Sequence, residues 1–439
     1  MHHLLLMLRR TVPVARSALV IAVGMSSAVL IAVALARFDY ALVLPAMRSD
    51  LGWSYGRAGS LNTAVGLGYV VGALLTPVVA SRTGVRRSVL LGAAAVVATL
   101  ALDAVTTNLI VLLVVRFIAG MCGAWAFVGG AEMVSYAAVG SSPELLMGLY
   151  VGGGGLGVVA SGVAVPAIVA AHGWRAGWWT LALGAFAAIG VLWGAARGMP
   201  PRRATPAAPL PRFSVVREAG LSATAVAYFL FGLGYIVAMT FAVALVEEEI
   251  PGPGATRLLW IAMGVGMFVA GFVWPWMFRR WRPGVALGLI LVADAAAVAL
   301  LGRSSAPLAI VLAAVVFGGC VNSVVGGVTV IARRVLPADE LLAALAALTV
   351  AFALGQLIGP TLFGVLSDAA GLRTAILASA VVLLAGAAAA RLQPGVSHRV
   401  DSDSAGGADR IALARPHEFV EPGPQASLED VPAGEEREA

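Results

Sequence analysis

Twelve stretches of this chain are long and apolar enough to cross a bilayer, and no other feature limits its fold so severely. A helix needs about 20 apolar residues to span the hydrocarbon core. Inside that core every backbone N–H and C=O must be satisfied within the segment, which leaves helices or closed barrels. Runs at 17–46, 55–80, 87–105, 108–131, 145–171 and 176–196 reach helical span length. A second set follows at 219–246, 256–278, 284–302, 306–332, 341–366 and 372–392. Composition agrees: 60% of the 439 residues are hydrophobic, 12% are charged, and mean hydropathy is +0.93. A soluble domain carries about twice that charged share. The expected fold is therefore an all-α polytopic membrane protein of twelve transmembrane helices in two six-helix bundles.

The stretch between the two sets, "RGMPPRRATPAAPLPRFSVVRE", is rich in proline and arginine and has no apolar period. It reads as a linker. The expected division is an N-terminal bundle (1–197), a cytoplasmic linker (198–218), a C-terminal bundle (219–392) and a disordered acidic cytoplasmic tail (393–439). Arginines set the orientation, for the chain has no lysine. With the N-terminus inside, cytoplasmic segments hold 17 arginines and the opposite loops 6. The positive-inside rule then puts both termini in the cytoplasm. The "MHHLLLMLRR" start has too short an apolar core for a cleaved signal peptide, so the first span is expected to act as its own insertion signal. The body (1–392) carries 25 Arg against 13 acids and the tail 4 Arg against 10 acids. That asymmetry suits basic loops facing anionic lipid, and no aromatic-interleaved basic patch points to nucleic acid.

Catalytic and cofactor chemistry find no support. Cys122 and Cys320 are the only cysteines, which excludes a disulfide framework and a paired-cysteine metal site. There is no P-loop and no HExxH motif, so neither ATP-driven transport within this chain nor an enzyme is expected, and no cofactor or metal. The two halves echo each other instead. "AGMCGAWAFVGG" in helix 4 and "FGGCVNSVVGGV" in helix 10 align Cys122 with Cys320, Gly120 with Gly318 and Gly129 with Gly327. The loops after helices 2 and 8, "SRTGVRR" and "FRRWRPG", echo as well. Parallel six-helix repeats that hold a substrate near the midplane are a transporter design.

These features together resemble the major facilitator superfamily over residues 15–392. "SRTGVRR" is similar to that family's loop motif, Gly-x-x-x-Asp-Arg-x-Gly-x-Arg-Arg, with Arg82, Gly84, Arg86 and Arg87 in place. Pro77 and Ser81 stand where the motif has its first glycine and its aspartate. In the family that aspartate helps latch the halves together, so the resemblance implies a weakened or replaced latch here. "RFIAGMCG" resembles the Arg-x-x-x-Gly pattern of proton-coupled members. "RFDYALVLPAMRSDLGWS", "GLGVVASGVAVP", "YFLFGLGYIVAMTF" and "FALGQLIGP" are similar to the YbfB/YjiJ-like branch of bacterial permeases. The resemblance implies a secondary transporter of the bacterial inner membrane.

Charges inside spans single out candidate residues, because they are costly in lipid and normally face a cavity or partner. Arg37 lies ten residues before Met47, about 15 Å along a helix, and is the candidate for binding a polar or anionic substrate group. Its alternative is to snorkel from an early end of helix 1. Asp39 lies about 200° around the helix from Arg37 and cannot pair with it. Arg116 sits at matching depth in helix 4, so an Asp39–Arg116 pair is expected, either as a proton-coupling switch or as a fixed structural bridge. Asp294, mid-span in helix 9, is a secondary proton candidate. Further substrate contacts are expected from Ser26, Tyr40, Trp125, Tyr228, Tyr235, Asn322 and Gln356, against the alternatives of aromatic packing and amide glue between helices. Gly355, Gly359 and Pro360 in "GQLIGP", with the helix 2–3 loop residues, form the conformational set. The expected function is a proton-coupled permease for a small organic molecule, working as a monomer in contact with membrane lipid. A non-transporting sensor or scaffold on the same fold is the alternative.

Overall fold

The computed structural model describes residues 18–137, 143–198 and 211–393. The basic N-terminal segment, most of the expected linker and the acidic tail from 394 onward lie outside the described residues. Among the described residues, twelve helices are long and apolar enough to cross a membrane. They are α1 (Ala18–Leu51), α2 (Tyr55–Thr83), α3 (Val85–Val105), α4 (Leu109–Ala137), α5 (Pro143–His172) and α6 (Trp174–Arg197). The second six are α7 (Ser222–Glu249), α8 (Pro253–Arg280), α9 (Pro283–Arg303), α10 (Pro307–Val335), α11 (Ala338–Ala370) and α12 (Leu372–Arg391). A short helix, Phe213–Glu218, leads into α7, and just before it Arg212 N–H donates to the Ala343 carbonyl of α11. Helix starts follow local chemistry. Ser54 caps α2 through its hydroxyl, and Pro253, Pro283 and Pro307 occupy first-turn positions that need no N–H. The α2–α3 turn needs Gly84, whose φ of 84° is open to few side chains.

The same packing pairs recur in each half. In the first, α2 packs on α4, α3 on α4 and α6, and α1 on α5; in the second, α8 packs on α10, α9 on α10 and α12, and α7 on α11. The glycine echo read from the sequence has a physical origin in these pairs. A Cβ on Gly120 would lie 2.0 Å from the Val65 carbonyl oxygen, and one on Gly318 would lie 2.1 Å from that of Met263. On the facing helices, Gly68 meets the Phe117 carbonyl and Gly266 meets the Val315 carbonyl. Gly120 and Gly318 stand 198 positions apart in the sequence, and so do Gly68 and Gly266. Close helix approach through small residues is how helices associate where lipid offers no hydrophobic drive.

The halves meet along two seams, α2 on α11 and α5 on α8. On the first seam a Cβ on Gly59 would lie 2.2 Å from the Pro360 carbonyl oxygen. On the second, Gly155 and Gly264 face each other's carbonyls at 2.7 Å. Toward the end of the molecule away from the linker, polar bonds cross between the halves. Thr63 and Thr361 hydroxyls are 2.9 Å apart, and Asn62 Nδ2 donates to Thr240 Oγ1 at 2.7 Å. Toward the linker end, a cavity of about 460 Å³ opens between the halves, lined by Met147, Gly152, Phe268, Asn322 and Arg333 among others.

Candidate functional site

The site is built around an irregularity in α1. Residues Leu30–Phe38 form a π-helix, and Asp39 N–H reaches back to the Ala34 carbonyl at 2.9 Å before an α-helix resumes at Tyr40. A π segment widens the turn and shifts the facing of everything after it. Arg37 sits at its end, near the middle of α1.

From there the Arg37 guanidinium crosses between the halves. Its Nη2 donates to Gln356 Oε1 of α11 at 2.5 Å, and Gln356 Nε2 donates in turn to the Tyr235 hydroxyl of α7. The guanidinium carbon also lies 5.8 Å from the Tyr69 ring centre of α2. Behind Tyr235 stands a set of near-parallel rings: Phe231–Tyr235 at 4.7 Å and Tyr228–Phe352 at 4.5 Å between centroids. The structure thus brings Arg37, Gln356, Tyr235 and Tyr228 to one place, with Tyr69 and Phe352 as members that sequence reading misses. Among the described residues no carboxylate forms an ion pair with Arg37. A guanidinium whose partners are a neutral amide and aromatic faces keeps the capacity to bind an anionic or strongly polar group.

The expected Asp39–Arg116 pair is not formed. Arg116 Nη2 pairs with Asp103 of α3, and both side chains are wholly buried. Its Nη1 donates to the Ala36 carbonyl in the π segment at 2.9 Å, and its plane covers the Trp178 ring at 4.5 Å. Asp39 turns the other way, accepting from Ser161 Oγ of α5 at 2.8 Å and Trp260 Nε1 of α8 at 2.9 Å. Matching depth tests reach and does not test rotation; the π segment sets the rotation. Asp103 escapes sequence reading because it lies within one turn of the end of its span, where a carboxylate needs no partner.

Other candidates are dispersed. Ser26 returns its hydroxyl to the Val23 carbonyl within α1 and packs on Gly153. Tyr40 stacks on Trp178 and donates to the Ala58 carbonyl, so it belongs with Arg116 and not with Arg37. Trp125 lies over Gly92 of α3, and Asn322 donates to the Met267 carbonyl, tying α10 to α8 beside the linker-end cavity. Asp294 is fully buried, with neither carboxylate oxygen hydrogen-bonded among the described residues. Gly355 and Gly359 press α11 onto α7, where a Cβ would come within 2.2 Å of the Phe229 carbonyl and 2.6 Å of Ile236. Arg82 and Arg87 are exposed at the α2–α3 turn and Arg86 is half-buried. The described residues hold no cluster of His, Cys, Asp and Glu able to bind a metal.

Comparison with known proteins places this geometry. The structure resembles the nucleoside transporter NupG, with a TM-score of 0.66, 14% identity, and coverage of 85% of this chain and 98% of that one. It also resembles a bacterial homologue of the human lysosomal transporter Spinster, solved inward-facing and unoccupied: TM-score 0.63, 16% identity, coverage 87% and 98%. A chloramphenicol resistance protein of Streptomyces lividans is 32% identical over 249 residues, 53% of this chain. The match spans only 59% of that protein's length. The profile of the family described as "Uncharacterised MFS-type transporter YbfB" matches residues 29–391. Carrying that family signature over nearly all of its twelve apolar helices, the chain belongs to the YbfB-type major facilitator transporters, multi-pass membrane transporters and not enzymes.

Proposed function

We propose that this protein is a proton-coupled secondary transporter of a small organic molecule, working by alternating access in the bacterial inner membrane with both termini cytoplasmic. The observation that carries the reading is the Arg37–Gln356–Tyr235 chain, which joins α1 of one half to α11 and α7 of the other through one uncompensated cation. A substrate with an anionic or strongly polar group competes for Arg37 and so separates or joins the halves as it binds. Only such differential binding can move a conformational equilibrium. The aromatic set of Tyr69, Tyr228, Tyr235 and Phe352 supplies a flat apolar wall for the rest of the molecule. Asp39 is the primary proton carrier in this reading. Its carboxylate bridges α5 and α8, on opposite sides of a seam, so adding a proton there weakens a tie between the halves. Asp294 is a second proton site. Arg116 supports the scheme from outside the substrate path by holding the π segment. With the linker end cytoplasmic, the cavity there and the polar bonds at the other end support an inward-open reading.

The test is a substrate screen in proteoliposomes with imposed pH gradients, headed by chloramphenicol because of the Streptomyces relative's name. Flux of the substrate found is expected to vanish in Arg37→Ala and to lose its response to the gradient in Asp39→Asn. Gradient-dependent flux at wild-type rates in both variants overturns the reading.

A further inference from the structure

At the end away from the linker, one carboxylate of the second half caps a helix of the first. Asp368, near the C-terminus of α11, accepts from two backbone amides at the start of α2: Tyr55 N–H to Oδ1 at 2.6 Å and Gly56 N–H to Oδ2 at 2.9 Å. The first amides of a helix have no partner within it, and the helix dipole favours a negative charge there. Ser54 takes only the Arg57 amide, which leaves these two for Asp368. The contact is close, for a Cβ on Gly364 would lie 2.5 Å from the Tyr55 carbonyl oxygen. Tyr55 adds a second tie across the halves, its hydroxyl donating to Glu248 Oε1 of α7 at 2.6 Å, under the Arg48 guanidinium 4.0 Å from its ring.

The sequence around Asp368 partly matches the loop pattern that is incomplete between α2 and α3, with Ala369 and Thr374 standing at two of its arginines. Gly364, Asp368, Gly371 and Arg373 fall at the first glycine, the aspartate, the second glycine and the first of the paired arginines. The α2–α3 loop lacks that first glycine and that aspartate. Gly371 and Gly84 even share a φ of 84°. Arg373, in turn, pairs with Glu249 and binds the start of α12 to the end of α7.

We propose that Asp368 is the positioning residue that latches the linker-distal ends of the two halves shut, so that this protein carries its carboxylate latch at the opposite end from the α2–α3 loop. The structure is biased toward opening at the linker end because a charge-assisted cap holds the other end and the loop at the linker end has lost its aspartate. This requires only halves that part at that end, whatever the cargo. Its failure therefore leaves the substrate and proton assignments untouched.

The experiment is a distance measurement on the full chain in nanodiscs without substrate, using spin labels at Arg57→Cys and Ala370→Cys, one on each half, while native Cys122 and Cys320 are buried. Asp368→Asn is expected to raise the long-distance population by about twofold to fivefold, the range for an exposed charge at a helix terminus. Asp50→Asn is the control. Asp50 lies at the same end but bonds Trp174 and Arg175 within its own half, so the distribution should not move. If Asp368→Asn does not fold, Asp368→Ser takes its place with the same expectation. A distribution identical to wild type in the Asp368 variant, or equal widening in Asp50→Asn, overturns the proposal.

Discussion

Arg116 shows how much a single buried charge asks of its surroundings. Its guanidinium is fully buried and is met by Asp103, by the Ala36 carbonyl and by the face of Trp178. Removing one member of a buried pair strands the other and costs about 3–5 kcal/mol, whereas replacing both with apolar residues of similar volume is often near neutral. Asp103→Asn is therefore expected to lower the thermal unfolding midpoint in detergent sharply, and Asp103→Leu/Arg116→Met to recover most of the loss. Arg37 is a different case, half-buried, bonded to a neutral amide and without a carboxylate partner among the described residues. Arg37→Lys keeps the charge and loses the planar fork. Transport affinity should fall about tenfold, equal to ~1.4 kcal/mol and within the range of one charged hydrogen bond, with the fold intact by circular dichroism. Sequence reading finds both arginines from their cost in lipid. It does not find their partners, because depth along a helix is legible in residue counts and rotation across a π segment is not.

Among elements, the glycines divide into those that set the distance between helices and those that do not. Gly120 and Gly318 occupy equivalent places, each against a carbonyl of the facing helix. Val at either site must push the helices apart, at a cost of roughly 1–3 kcal/mol or more for overpacking. The two substitutions should lower the unfolding midpoint by similar amounts. A Cβ added at Gly148 or Gly190 would meet nothing within 4 Å, and Ala there should be neutral or slightly stabilising in the same melting experiment. The internal repeat is legible in sequence because a glycine at a 2 Å approach tolerates no replacement. Aromatic residues carry no such constraint, which is why Trp125 and Tyr40 cannot be told apart from Tyr228 and Tyr235 before the packing is known.

For the whole molecule, the two halves pack along two seams. Thr63 and Thr361 lie across the α2–α11 seam with their hydroxyls 2.9 Å apart, within reach of a disulfide if both become cysteine. Oxidised Thr63→Cys/Thr361→Cys is expected to stop flux, and reduction to restore it; full flux in the oxidised protein would show that this seam does not part during transport. The class, the number of spans, the internal repeat and the family are legible in the residues alone, because a lipid solvent enforces long apolar helices and small residues at contacts wherever the chain crosses. Which charges pair, which aromatics gather at Arg37 and which carboxylate meets the start of α2 became visible only in the folded molecule. Those depend on helix rotation and on contacts between residues as far apart as Arg37 and Gln356 or Tyr55 and Asp368, and no local pattern encodes them.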